Sequence, residues 1–227
     1  MDIIILAAGI GSRLGHPFPK PLTVLKTGKS IMLSQLENIA SAFPGDHVTV
    51  VVGFKKEMIM EAFPDLTFIY NNEFDMTNTS KSLLKALKKV KNSGALWLNG
   101  DVVFDARVLD KIKPFINSER SFVCVNKSRV DEEEVKYTID DDGMIKELSK
   151  KVKNGLGEAV GINYISKKDV KTLISRLIEC DDNDYFERGI ELSIEKDGLK
   201  IIPADISEFN CVEVDFKQDL EKANELL

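Results

Sequence analysis

The sequence predicts an α/β fold, in which a mostly parallel sheet carries helices on both faces and has a small antiparallel addition. Short runs of β-branched residues alternate with amphipathic helical patterns along the 227 residues. Apolar residues make up 43% of the chain, which is enough to bury a sizeable core. No Pro/Gly/Ser-rich tract or internal repeat interrupts the alternation, so we expect a single domain over residues 1–227.

The first half of the chain repeats a strand followed by a helix. The predicted strands are residues 3–6, 48–52, 66–70 and 95–98, and the predicted helices are residues 30–43, 55–63 and 80–90. Ser30 has the residue type of a helix N-cap. Ligands of parallel α/β sheets bind beyond the carboxyl ends of the strands. We therefore expect the glycine loop after Leu6 and the carboxylate after Leu98 to open onto the same edge.

The second half of the chain is less regular. An Asp-Gly turn at Asp142 and Gly143 predicts a hairpin between strands at 135–139 and 144–148. The other predicted strands are residues 160–165, 199–202 and 212–214, and the other predicted helices are residues 168–179, 184–194 and a last one from about residue 216. We expect the antiparallel additions to cover a substrate.

Composition and charge exclude several classes of protein. The net charge of −6 argues against a duplex nucleic-acid binder, which needs a broad basic face. No apolar run approaches the roughly 18 residues of a membrane span. The N-terminus lacks the basic flank of a signal peptide. Three scattered cysteines are too few for a disulfide framework or a zinc site, which favours a cytoplasmic protein.

Charge is distributed unevenly along the chain. Residues 1–30 carry a net charge of +3, whereas residues 181–227 carry a net charge of −9. A basic patch among glycines in an acidic protein favours a compact anionic ligand. The alternative is chance unevenness on a solvated surface.

The basic patch coincides with a glycine loop. Gly9 and Gly11 follow the first predicted strand, and backbone amides at such glycines can approach phosphate oxygens closely. Arg13 supplies a planar fork for phosphate, and Lys20, between two prolines, supplies a point charge whose backbone is restricted. The alternative is a tight strand-to-helix turn with solvated bases.

Two better-known phosphate motifs do not fit this loop. A dinucleotide fingerprint requires a third glycine where Leu14 stands, which weakens an oxidoreductase interpretation. Gly28, Lys29 and Ser30 resemble the end of a P-loop, but the required upstream glycine position holds Thr23. We interpret that segment as a turn leading into a helix.

Three carboxylates are candidates for holding a hard cation. Asp101 ends a predicted core strand, and Glu213 and Asp215 alternate on a short strand so that both face one side. The alternatives are structural. Asp101 can occupy an ordinary turn, and Asp215 has capping-box spacing to Gln218 at the start of the last helix.

Together, these motifs resemble the nucleotidyltransferase superfamily with a Gly-x-Gly-x-Arg…Pro-Lys signature, above all the bacterial-type choline-phosphate cytidylyltransferases. The resemblance implies a Rossmann-like, nucleotide-diphospho-sugar transferase-like fold. It also implies a nucleotide-binding half (1–125) and a half that binds the acceptor and the metal (126–227). Lys20 and Arg13 are then catalytic, and Asp101, Glu213 and Asp215 bind Mg²⁺. The residues implied to bind the nucleotide are Leu6, Ala7, Ala8, Gly9, Gly11, Ser12, Arg13, Asn78 and Ser82.

A second constellation concerns the acceptor. Tyr185 and Phe186 lie beside Glu187, and aromatic faces next to a carboxylate bind an ammonium group by cation–π attraction and ion pairing. The alternative is an amphipathic helix with Phe186 in the core. The resemblance adds Glu158, on a strand beside the acceptor. Lys150 is a candidate contact for the acceptor phosphate, or one of several solvated lysines.

The preferred hypothesis is a cytoplasmic, Mg²⁺-dependent enzyme that transfers CMP from CTP to a phosphocholine-like acceptor and releases pyrophosphate. Only six residues separate Arg13 from Lys20, which is more like N-acetylglucosamine-1-phosphate uridylyltransferases. A sugar-1-phosphate nucleotidyltransferase that uses UTP, CTP or dTTP is therefore the main alternative. A non-catalytic nucleotide-binding module is the second. His16 and His47 have no identifiable nucleophile partner, so covalent catalysis is not expected.

Overall fold

The computed structural model describes residues 1–128 and 134–225, without the side chain of Ser12. The strands are β1 (Asp2–Ala7), β2 (His47–Val52), β3 (Thr67–Tyr70), β4 (Ala95–Asn99), β5 (Val102–Phe104), β6 (Phe122–Asn126), β7 (Lys136–Ile139), β8 (Ile145–Ser149), β9 (Glu158–Ile165), β10 (Ile202–Asp205) and β11 (Cys211–Glu213). The helices are α1 (Ile31–Ala42), α2 (Lys56–Ala62), α3 (Thr79–Leu87), α4 (Arg107–Asn117), α5 (Val170–Glu179), α6 (Phe186–Asp197) and α7 (Lys217–Glu225).

The main sheet is mostly parallel, as predicted. Its strands follow the order β10-β6-β9-β4-β1-β2-β3, and β9 runs antiparallel to both of its neighbours. The hairpin of β7 and β8 extends from β9, and β5 pairs with β11 in a separate antiparallel ribbon. The predicted Asp-Gly turn is confirmed: Gly143 has a φ of +75°, and the Asp140 carboxylate accepts a hydrogen bond from the Met144 amide.

The topology creates a crevice at the carboxyl end of β1. From β1 the chain passes to β2 on one side of β1 and later returns to β4 on the other side. Such a switch point is where open α/β sheets bind ligands. The Gly100 amide donates a hydrogen bond of 2.9 Å to the Leu6 carbonyl, so the loops after β1 and β4 are joined at this edge. The expectation that both loops open onto one edge is confirmed.

Helices cover both faces of the sheet. On β1, Ile4 and Leu6 face a core shared with α3, α5 and α6, while Ile3 and Ile5 face a core shared with α1, α2 and α4. All four side chains are buried, as expected for a central parallel strand. Ser30 caps α1 as predicted, because its Oγ accepts a hydrogen bond from the Leu33 amide.

Two parts of the fold differ from the sequence pattern. The segment 102–126 holds β5, α4 and β6, none of which the pattern analysis assigns. The strand predicted at 199–202 is wrong in position, since β10 begins at Ile202. Gly198 ends α6 in the left-handed conformation, and the Leu199 amide bonds back to the Ser193 carbonyl, so the chain is still leaving the helix there. Within the described residues, no helix combines the length and apolar character that a bilayer crossing requires.

Trp97 ties the sheet to the helix that carries the predicted acceptor residues. Its ring is 1% exposed on β4 and meets the Phe186 ring edge-on, with centroids 5.6 Å apart. Phe186 is the first residue of α6. Packing at this point therefore determines where the start of α6 lies.

Trp97→Ala should lower the free energy of unfolding by about 3–5 kcal/mol, because it leaves a cavity under α6. Trp97→Phe should lose much less, since it keeps an aromatic ring against Phe186. Urea unfolding followed by circular dichroism measures both variants, because Trp97 is the chain's one tryptophan and fluorescence is lost. Equal losses for the two variants would contradict the packing role.

Candidate active site

The glycine loop brings Lys20 close to the end of β1. Gly11 has a φ of +63°, and a Cβ built there would lie 2.6 Å from the Lys20 Cγ. Only glycine suits that position, because both the backbone conformation and the neighbouring lysine stem exclude a side chain. Lys20 begins a short 3₁₀ turn after Pro19, which directs its side chain under the loop.

Lys20 is the centre of a charge network. Its Nζ lies 3.2 Å from Asp101 Oδ2 and also bonds to Asp215. Arg13 donates a hydrogen bond of 3.0 Å from its terminal guanidinium nitrogen to the other oxygen of Asp215. Lys20 is only 12% exposed. Burial lowers its pKa, but the two carboxylates more than compensate and raise the pKa of Lys20 above its ordinary value.

Asp215 does not cap the last helix. The Asp219 carboxylate accepts the Phe216 amide at 2.8 Å and the Asp215 amide at 3.3 Å, so Asp219 satisfies the start of α7. The Asp215 carboxylate is directed instead toward Lys20 and Arg13. Partial burial raises its pKa, yet these two cations hold the pKa of Asp215 below its ordinary value. At the start of α7 it is thus Asp219, and not Asp215, whose side chain bonds the backbone amides.

Negative charge exceeds positive charge at this point. Glu213 accepts a hydrogen bond of 3.0 Å from Asn99 Nδ2 at the end of β4. Burial, followed by repulsion from Asp101 and other carboxylates, raises the pKa of Glu213 well above its ordinary value. Burial also raises the pKa of Asp101, despite the attraction of Lys20. Asp101 and Asp215 pair with Lys20, whereas Glu213 bonds to Asn99, and a further cation would relieve the repulsion among the three carboxylates.

The residues fit a divalent ion that is held jointly with a phosphate ligand. Within residues 1–128 and 134–225, no three His, Cys, Asp or Glu side chains converge closely enough to hold an ion alone. Asp101 and Asp215 nevertheless both reach the Lys20 ammonium, so two carboxylates approach one point. Mg²⁺ is commonly bound by one or two carboxylates together with substrate phosphates. The donor set suits that arrangement.

These groups line one cleft of about 970 Å³. The predicted site residues on its wall are Leu6, Gly9, Gly11, Arg13, Lys20, Asn78, Asp101, Lys150, Glu158, Tyr185, Phe186, Glu187, Glu213 and Asp215. Asn78 caps α3, as its Oδ1 accepts the Thr79 amide. The cleft therefore contains predicted site residues from both halves of the chain, 1–125 and 126–227.

Three of the predicted nucleotide-binding residues do not line this cleft. Ala7 and Ala8 are buried beneath the loop and do not line the cleft. Ser82 is also buried, and its Oγ accepts a hydrogen bond of 3.0 Å from Asn71. The side chain of Ser12 lies outside the described part of the chain.

The acceptor end of the cleft combines an aromatic face with a buried acid. Tyr185 is 41% exposed, whereas Glu187 is only 7% exposed and its Oε2 has no hydrogen-bond partner among the described residues. Burial raises the pKa of Glu187 to about 7, with Lys150 opposing the rise and Glu134 adding to it. The Phe186 ring belongs mainly to the core, as the structural alternative predicted.

The cleft also contains residues that the sequence did not predict, among them Asn99, Phe216 and Glu134. Asn99 immediately precedes the Gly100-Asp101 pair, and this position at a strand end is the signal that could have identified it. The Phe216 ring lies 5.7 Å from the Arg13 guanidinium carbon and follows Asp215 directly. Glu134 has no such local signal, because its place in the cleft depends on the fold of the second half.

A glycine loop, two cations and a carboxylate cluster at the switch point of this sheet define a nucleotidyltransferase. The chain belongs to the family of MobA-like NTP transferase domains, whose pattern it matches over residues 3–160. That match covers more than half of the chain and includes the loop, Lys20 and Asp101.

Two known relatives match part of the chain. The bifunctional protein GlmU of Methanococcus vannielii is 34% identical over 141 residues, which are 59% of this chain and 31% of that protein. The CMP-5'-(3-aminopropyl)phosphonate synthase of Streptomyces rubellomurinus is 33% identical over 118 residues, which are 48% of this chain and 18% of that protein. The matches thus span less than a third of either relative.

Two solved structures resemble the whole chain. The CTP:phosphocholine cytidylyltransferase LicC of Streptococcus pneumoniae has a TM-score of 0.79 at 20% identity, covering 99% of this chain and 97% of that one. A putative glucose-1-phosphate thymidylyltransferase from Bacillus anthracis has a TM-score of 0.80 at 18% identity, covering 100% and 94%. These likenesses confirm the nucleotide-diphospho-sugar transferase-like fold.

Gly11→Ala should weaken nucleoside triphosphate binding by about tenfold or more, because the new methyl group displaces Lys20. Gly15→Ala is the matched control: Gly15 also has a positive φ, +67°, but a Cβ there meets open space. Titration with a fluorescent CTP analogue measures both variants. Equal losses would mean that backbone strain, not displacement of Lys20, is responsible.

Glu187 should make the protein less stable as the pH rises. Its pKa is about 7 in the folded chain, above the ordinary value of 4.5, so the unfolded chain loses the proton first. The folded state therefore loses on the order of 3 kcal/mol as the pH rises from about 4.5 to 7. Glu187→Gln should remove this pH-dependent loss of stability, because glutamine does not ionise.

Urea unfolding of wild type and Glu187→Gln at pH 5 and pH 8 tests this expectation. The variant should gain roughly 2–3 kcal/mol over wild type between the two pH values. Lys150 and Glu134 also face Glu187, but they are present in both proteins, so the difference isolates Glu187. An identical pH dependence in the two proteins would rule out a raised pKa.

Proposed function

We propose that this chain transfers CMP from CTP to a small phosphorylated amino-alcohol or alcohol of the phosphocholine kind, and releases pyrophosphate. The observation that carries the acceptor assignment is the buried Glu187 carboxylate beside the Tyr185 face, in the same cleft as Lys20 and Arg13. A buried carboxylate with one oxygen unpaired among the described residues favours a ligand that brings a positive charge.

Two relatives support this choice. One is named for joining CMP to an aminopropylphosphonate, and one similar structure is that of a CTP:phosphocholine cytidylyltransferase. Both acceptors combine an acidic phosphorus group with a nitrogen cation. The cleft has a matching arrangement, with cations near the loop and an acid at its far end.

The proposed reaction is an in-line displacement. An oxygen of the acceptor phosphate forms a bond to the α-phosphorus of CTP, and the bond from that phosphorus to the bridging oxygen breaks, with its electron pair leaving on pyrophosphate. The attacking phosphate is already ionised at neutral pH, so no general base is required. Lys20 and Arg13 bind the phosphates and stabilise the developing charge, while the loop amides orient them.

Asp101 and Asp215 are the proposed Mg²⁺ ligands, with Glu213 beside them. A bound ion would neutralise phosphate charge and favour departure of pyrophosphate. The residues' own contribution is to place carboxylate oxygens from the turn after β4 and from the segment after β11 at one edge of the triphosphate. Burial, together with repulsion between neighbouring carboxylates, raises the pKa of Asp101 and Glu213 above their ordinary values.

Transfer to a sugar 1-phosphate is the second candidate. The GlmU relative and the short spacing between Arg13 and Lys20 favour it. A non-catalytic binding module is disfavoured, because Lys20 is present and contacts both Asp101 and Asp215.

A matrix of pyrophosphate-release assays tests the proposal. Each of four nucleoside triphosphates is combined with phosphocholine, phosphoethanolamine, aminoethylphosphonate and several sugar 1-phosphates. Every combination is assayed once in Mg²⁺ and once in EDTA. We expect the highest rate with CTP and an ammonium-bearing acceptor, and loss of activity in EDTA. Release only with sugar 1-phosphates would overturn the acceptor assignment.

Lys20→Ala should lower kcat by at least about 10²–10³-fold without unfolding the protein. Lys29→Ala is a matched control, because Lys29 is exposed and pairs only with Glu37 among the described residues. Unchanged turnover in Lys20→Ala would remove the catalytic role.

A further inference from the structure

Lys150 already covers the aromatic face at the acceptor end of the cleft. It follows β8, and its Nζ lies 4.8 Å from the centroid of the Tyr185 ring. The Lys150 side chain is exposed, and no hydrogen bond or ion pair to residues 1–128 or 134–225 holds its ammonium group. A cation–π contact at an exposed ring is a weak attachment.

Glu187 lies next to this contact and interacts electrostatically with Lys150. Its Oε2 is buried in the cleft wall without a partner among the described residues. In the free protein, the surroundings that an ammonium ligand would need are thus the Tyr185 ring and the Glu187 carboxylate. An ammonium group, that of Lys150, already lies there. The lysine ammonium stands where the ligand's cation would bind.

We propose that Lys150 is a displaceable internal cation that makes the site selective for acceptors carrying both an ammonium and a phosphate or phosphonate group. The acceptor's ammonium takes the Tyr185 face and the neighbourhood of Glu187, and Lys150 moves to the acceptor's acidic group. This inference rests on the proposed function, because it presumes an ammonium-bearing acceptor.

Charge balance explains the selectivity. A cation alone must displace Lys150, which then has no anion to pair with. A phosphate alone draws Lys150 away and leaves Glu187 as a buried acid without a neighbouring cation, which is unfavourable. A zwitterion satisfies both groups at once. The flexible four-carbon stem of lysine permits the movement, since its end is not fixed by hydrogen bonds.

Lys150→Met tests the exchange, because methionine keeps an apolar stem and removes the charge. Calorimetric titrations with choline, inorganic phosphate and phosphocholine are made with and without Mg²⁺ and a non-hydrolysable CTP analogue. We expect the variant to bind choline about tenfold more tightly than wild type and phosphocholine about tenfold more weakly. Lys151→Met, which changes an exposed neighbour, should behave as wild type.

The outcomes separate this inference from the proposed function. If wild type binds phosphocholine but Lys150→Met does not bind choline more tightly, Lys150 is not a stand-in cation and the inference fails alone. If phosphocholine binds equally well to both proteins, the move to the phosphate is wrong. If wild type binds no phosphocholine under any condition, the acceptor assignment fails, and the exchange onto the acceptor fails with it.

Discussion

The ammonium group of Lys20 is shared by carboxylates from two distant parts of the chain. Asp101 is 81 residues away and Asp215 is 195 residues away, yet both contact the same nitrogen. A largely buried charge is costly unless it is paired, so the glycine loop, the turn after β4 and the segment after β11 must be positioned together. The network couples the first and last parts of the domain at the edge where the ligand crevice opens.

The sheet topology makes this convergence possible. β9 enters antiparallel between β4 and β6, so strands from both halves of the chain form one sheet. Gly161 on β9 has a φ of +69°, and a side chain there would collide with Asn99, which holds Glu213. The glycine therefore leaves room for the Asn99 side chain, whose Nδ2 holds Glu213 in the cleft.

Local signals in the sequence predicted the local features. The Asp142-Gly143 turn, the Ser30 cap and the glycine loop each depend on a few neighbouring residues, and the structure contains all three. β5 could not be predicted, since it has three residues and is completed by β11, more than 100 residues later. The role of Asp215 was ambiguous for a similar reason. Either Asp215 or Asp219 could cap α7, and only the distant Lys20 and Arg13 decide between them.

The protonation state of Glu187 affects which class of acceptor the cleft can bind. An ammonium-bearing acceptor requires the ionised carboxylate, whereas a sugar hydroxyl can form a hydrogen bond with either protonation state of the acid. A pKa of about 7 places both forms within reach near neutral pH. Lys150 favours the ionised form because it lies nearby with a positive charge. A site in which that lysine lies over the exposed Tyr185 ring is thus prepared for exchange of one cation for another, and a neutral sugar would leave that exchange unused.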